Sequence, residues 1–184
     1  NELWKSFWDA AFSLASILLS IFFGAALGNV VRGVPLNKEG YFFEPLWTTF
    51  TVVPEAGILD WFTVIMGLVG FFTLMGHGSN YIALKTEGVI QQRARSLAVK
   101  AWWGLSLGSV AAFAATWSIR PQIWQNYSEH LWGFFFPILG FLGLAGMHYY
   151  NKAGQDKLSF VSSSLFIGGM LASTAFGMYP TLLP

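Results

Sequence analysis

Apolar and polar positions alternate along this chain in long blocks rather than residue by residue. Charge-free runs cover 10–31, 61–84, 101–119, 131–151 and 158–184, and short charged clusters separate them. Each run approaches or exceeds the ~20 residues a helix needs to cross ~30 Å of hydrocarbon. The strict alternation of a membrane barrel is missing, because Ile17-Leu18-Leu19 and Phe134-Phe135-Phe136 put apolar groups on both faces. The pattern predicts an all-α integral membrane protein with five transmembrane helices in an antiparallel bundle. The spans fall near 10–31, 61–84, 101–119, 131–151 and 158–180, with an outer loop over 32–60. Residues 1–184 read as a single transmembrane helical domain.

Basic residues in the flanks set the expected orientation. Lys5, Lys85, Arg93, Arg95, Lys100, Lys152 and Lys157 share one side, against Arg32, Lys38 and Arg120 on the other. The amino end of this segment is therefore expected on the cytoplasmic side. The outer loop carries Pro35, Pro45 and Pro54, the carboxylates Glu39, Glu44, Glu55 and Asp60, and the aromatics Tyr41, Phe42, Phe43 and Trp47. Proline interrupts regular helix there, and the aromatics predict a loop that packs back or lies at headgroup level. Gln91 to Lys100 reads as an interfacial helix continuing into the third span. Trp102, Trp103, Trp117, Trp124, Tyr149 and Tyr150 mark span boundaries.

Composition narrows the function classes. Only 10% of the 184 residues are charged and 54% are hydrophobic, whereas a soluble domain carries roughly 25% charged residues. A net charge of +1 leaves no footprint for nucleic acid, and the absence of cysteine removes disulfides, thiolate metal sites and thiol nucleophiles.

The spans offer little chemistry. None contains an Asp, Glu, Lys or Arg in its interior; Asp9, Asp60 and Glu129 fall at edges, where solvation is expected to be cheap. His77 and His148 lie within spans at similar depth and could ligate a haem axially, or could each donate to a backbone carbonyl or interfacial water. His130 reads as an interfacial residue. Asn29, Asn80, Ser13, Ser16, Ser20, Thr63, Thr73 and Ser162 to Ser164 are candidates for interhelical hydrogen bonds. Gly24 and Gly28, Gly104 and Gly108, and Gly140, Gly143 and Gly146 predict close helix approach, including packing against a partner. Pro137 and Gly168-Gly169 are expected to loosen their helices. Asn126-Tyr127-Ser128 matches a glycosylation sequon only weakly. No catalytic, cofactor-binding or metal residue is assigned.

Two segments go further. Phe22 to Asn37 reads FFGAALGNVVRGVPLN and Met75 to Ser96 reads MGHGSNYIALKTEGVIQQRARS. Both resemble subunit II of cytochrome bd quinol oxidases, the cyanide-insensitive branch included, in its GNxxxGVP turn and HGxxYxxLKTxGxxxxRxR run. Phe176 to Pro184, FGMYPTLLP, is similar to a third family segment. The resemblance implies a heterodimeric terminal oxidase of the bacterial cytoplasmic (inner) membrane that oxidises quinol and reduces O2 to water. It implies that haems b and d reside in the partner, subunit I, that this chain binds no cofactor, and that a small accessory membrane subunit belongs to the complex. It places His77 in a motif at a loop boundary, and gives Lys85, Thr86 and Gly88 the task of fixing the turn. The family's amino-terminal Gly-Phe-Asp and Trp-Asp-Gly-Asn motifs find no match, so the chain is expected to correspond to the middle and later part of the subunit. The alternatives are a membrane electron carrier ligating haem through His77 and His148, and a small-solute transporter subunit.

Overall fold

The computed structural model describes residues 2–34, 41, 45–52 and 57–180. Its helices are α1 (Glu2–Arg32), α2 (Trp61–Lys85), α3 (Gly88–Ile119), α4 (Gln122–Glu129), α5 (Phe135–Lys152) and α6 (Asp156–Met178), with a 3-10 turn over Leu131–Phe134 leading into α5. Five stretches are long and apolar enough to cross a membrane: Trp4–Arg32, Trp61–Lys85, Gly88–Ile119, Leu131–Lys152 and Asp156–Met178. The architecture is the all-α bundle that the apolar runs predict. Helices α1 and α3 outrun their apolar segments, and α3, at 32 residues, is about 48 Å long. Its first turns are the polar Gln91 to Lys100 segment, continuous with the span as expected.

Local chemistry sets the helix ends. Asp60 caps α2, its carboxylate accepting from the Thr63 amide at 2.8 Å while the Thr63 hydroxyl accepts from the Asp60 amide at 2.8 Å. That reciprocal pair satisfies two donors that the helix start would otherwise leave open. At the far end of α2 the Thr86 hydroxyl donates to the Ile82 carbonyl at 2.7 Å. Gly88 then takes φ +68°, a left-handed conformation in which a side chain would be strained. The LKTxG run is thus a helix stop followed by a glycine reversal.

Successive long helices run antiparallel, and glycine brings three pairs of them together. A Cβ added to Gly24 on α1 would stand 2.9 Å from the Gly67 Cα of α2. One added to Gly143 on α5 would stand 2.5 Å from the Phe166 amide and 2.7 Å from the Ser162 carbonyl of α6. On α3, Gly104 and Gly108 face Phe72 and Val69 of α2. The expectation that these glycine faces meet a partner is corrected here: neighbouring helices of the same chain already fill them. Leu105, Leu144, Met147 and Phe166 form one buried cluster, and Val31, Phe62 and Ala115 form another at the loop end.

Two expected weak points are sound helix. Pro137 sits in the first turn of α5, where its missing amide costs nothing. Helix α6 runs unbroken through Gly168-Gly169, and Gly169 lies against Gly140. Within the outer loop, the Ile58 and Leu59 amides donate to the Pro45 and Leu46 carbonyls at 3.0 Å each, and Val52 packs on the Val31 cluster. The loop therefore does fold back. Tyr41 and Trp47 are exposed, while Pro35, Lys38, Glu39, Phe42, Phe43, Glu44, Pro54 and Glu55 lie outside the described residues.

Candidate functional site

Polar side chains gather at both ends of the bundle. At the loop end, Arg32 closes α1 and Asp60 opens α2. The guanidinium pairs with the Asp60 carboxylate, donates to the Gly57 carbonyl at 3.0 Å and reaches Asn29 Oδ1 at 2.7 Å. Asn29 in turn donates to the carbonyls of Ala25 at 2.9 Å and Ile58 at 3.0 Å. Side-chain exposure is 5% for Arg32 and 0% for Asp60. This corrects the expectation that Asp60 is cheaply solvated at an edge: the folded-back loop shuts water out. A pair so buried is retained only with its remaining hydrogen bonds made, and here they are. Gly33, at φ 102°, turns the chain away, its amide bonded to the Asn29 carbonyl at 3.0 Å. The GNxxxG part of the first motif is therefore a knot tying both ends of the loop to α1 and α2.

At the opposite end the span histidines turn to different neighbours. His77 Nδ1 lies 2.8 Å from the Ser163 hydroxyl of α6, and its ring lies 4.8 Å from that of Phe160. His148 stacks on Trp102 of α3 at 4.2 Å between ring centroids. Below His77, the Ser159 hydroxyl donates to Asn80 Oδ1 at 2.9 Å. Among the described residues Asn80 Nδ2 and His148 Nδ1 are buried without a partner, and both residues line a narrow crevice beside Trp102, Met147 and Asn151. The crevice has no room even for a water molecule, whereas small-molecule pockets usually occupy roughly 300–1,000 Å³. Among the described residues no three His, Asp or Glu side chains come together as a metal site. His130 is exposed beside Glu129.

The candidates for interhelical hydrogen bonds divide cleanly. Asn80 and Ser163 bond across helices. Asn29 reaches the loop and Thr63 closes the cap of α2. Ser13, Ser16, Ser20 and Thr73 instead donate back to Asp9, Phe12, Ile17 and Val69 on their own helices. Those four need no second helix, since a hydroxyl in a helix can satisfy itself one turn back.

One clamp was not foreseen. Arg95 on α3 grips Asp156 at the start of α6 with two bonds, Nε at 2.7 Å and Nη2 at 2.6 Å, and Gln91 adds a third at 2.9 Å. Arg95 also reaches the carbonyl of Gly154, which takes φ +70° in the α5–α6 turn. The RxR of the second motif thus reaches 61 residues ahead, a distance that spacing along the chain does not reveal.

With the motif residues placed at load-carrying junctions, the comparison with known proteins is specific. A family model for cytochrome bd terminal oxidase subunit II matches residues 1–184. The chain belongs to this family. A probable cytochrome oxidase subunit 2 of Haemophilus influenzae is 23% identical over 209 aligned residues, covering 100% of this chain and 54% of that protein. The cytochrome bd-I ubiquinol oxidase subunit 2 of Escherichia coli K12 is 27% identical over 95 residues, covering 52% of this chain and 24% of that protein. The chain therefore spans about half the length of the Haemophilus relative. For this subunit II chain, the family motifs map onto the Arg32–Asp60 knot, the α2–α3 reversal and the Arg95–Asp156 clamp, all of them structural joints.

Proposed function

We propose that this chain is a membrane scaffold within a bd-type terminal quinol oxidase, ligating no haem itself. It packs beside a haem-bearing subunit I whose complex oxidises quinol and reduces O2 to water, and residues 1–184 act as one transmembrane domain. The setting is the bacterial cytoplasmic membrane, with the α2–α3 and α5–α6 turns on the cytoplasmic side. The basic bias of those turns supports that orientation. A small accessory subunit is a further candidate partner.

The observation that carries the non-ligating role is the different engagement of the two span histidines. His77 is held by Ser163 and covered by Phe160, while His148 is stacked on Trp102. The contacts of His77 with Ser163 and Phe160 and of His148 with Trp102 support helix packing as the use of these rings. The test is reduced-minus-oxidised absorption spectra of the assembled oxidase carrying His77→Ala or His148→Ala. Full haem content per complex is expected from both. Loss of a haem band from an otherwise assembled complex would overturn the scaffold reading and favour an electron carrier that uses these histidines.

A further inference from the structure

Helix α3 has two unlike sides. The inner side is small: Ala94, Ala98, Ala101, Leu105 and Ala115 are buried, and Gly104 and Gly108 let α2 approach. The outer side carries Arg93, Lys100, Trp103, Leu107, Val110 and Trp117 at intervals of three, four or seven residues, all of them exposed. Trp103 is 57% exposed, Leu107 70% and Val110 71%. Trp103 and Trp117 stand about 21 Å apart along the axis, with large aliphatic residues between them. Arg93 and Lys100 lie beyond Trp103 on the same stripe, and neither is in an ion pair among the described residues.

We propose that this stripe faces lipid rather than protein, and that Arg93 and Lys100 hold the phosphate of an anionic phospholipid above Trp103. Three observations select this occupant. Helix partners in membranes approach through small residues, whereas the span part of this stripe presents mainly large side chains, Trp103, Leu107, Val110 and Trp117, with Ala114 among them. Trp103, beside Lys100 at the basic end of the stripe, suits the level at which aromatic side chains meet headgroups. Two cations beyond that level, neither in an ion pair among the described residues, are complementary to an anionic headgroup. The pairing of Arg95 with Asp156 sharpens the contrast, because the cation two positions from Arg93 is already neutralised by a carboxylate of this chain.

The test places the oxidase complex in nanodiscs containing bromine-labelled acyl chains, which quench tryptophan on contact. Comparison with the Trp103→Phe variant isolates the Trp103 signal. Brominated phosphatidylglycerol should quench Trp103 at lower mole fraction than brominated phosphatidylcholine. That preference should fall about fivefold for each of Arg93→Gln and Lys100→Gln, and high salt should weaken it. Both substitutions are on the surface and leave the packed side of α3 intact. Absence of quenching by either lipid would mean that protein covers the stripe, and equal quenching by both would mean that no headgroup is selected. Either result overturns the proposal while leaving the scaffold reading standing.

Discussion

Replacing Arg32 with methionine removes the guanidinium and leaves its neighbours in place. The Asp60 carboxylate, fully buried, keeps only its Thr63 bonds, while Asn29 Oδ1 and the Gly57 carbonyl lose their charged donor. Breaking a buried pair by removing one partner costs about 3–5 kcal/mol, because the remaining charge stays desolvated. An exposed pair would cost no more than about 1 kcal/mol, so the two environments predict separable results. The double variant Arg32→Met with Asp60→Asn leaves no buried charge and keeps an acceptor for the Thr63 amide. It should recover most of the loss. Equilibrium unfolding in mixed micelles, followed by circular dichroism, measures all three proteins. Limited proteolysis of the 33–59 loop should report the same order, with the single variant cut fastest. A cost below about 1 kcal/mol for Arg32→Met, or no recovery in the double variant, would refute the reading of this junction as a dry, fully bonded knot.

Two other outcomes test different joints. A Cβ at Gly28 would stand 2.9 Å from the Met66 Cβ and 3.3 Å from the Thr63 Cα, so Gly28→Leu should force α1 from α2 at a cost of about 1–3 kcal/mol; an unchanged melting temperature would exclude that packing. Burial pushes the Tyr127 phenol above its ordinary value near 10, outweighing the opposite pull of its Ser173 hydrogen bond. The neutral phenol's contribution to stability is therefore complete below pH ~10 and is lost as pH rises through the folded value. Tyr127→Phe should show a smaller fall in melting temperature between pH ~9.5 and ~11.5 than the parent protein, and parallel curves would contradict the burial argument.

How far the sequence reached can be judged from particular residues. The five apolar runs named the helices, and Gln91 to Lys100 was legible as a polar extension of the third. Gly88 and Gly33 were legible as motif glycines, although only the backbone showed that each takes positive φ. His77 and His148 looked alike in sequence, each a lone imidazole at similar depth. The fold separates them onto α6 and α3 neighbours. Ser163 was legible as a candidate for an interhelical hydrogen bond and Trp102 as a boundary marker, but neither signalled the imidazole it meets.

Membrane residence was settled by the sequence because it depends on a local sum: about 20 consecutive residues with too little charge to remain in water. Family membership rests on the same linear record, read through two motifs and a match across the whole chain. What those motif residues do was decided only by the tertiary structure. Arg32 and Asp60 are 28 positions apart, and Arg95 and Asp156 are 61 apart. In the sequence Asp60 reads as a charge at a helix edge, and Arg32 and Arg95 as basic flank residues. Whether such a charge is solvated or paired depends on which helix end and which returning loop surround it, and no window along the chain contains that information.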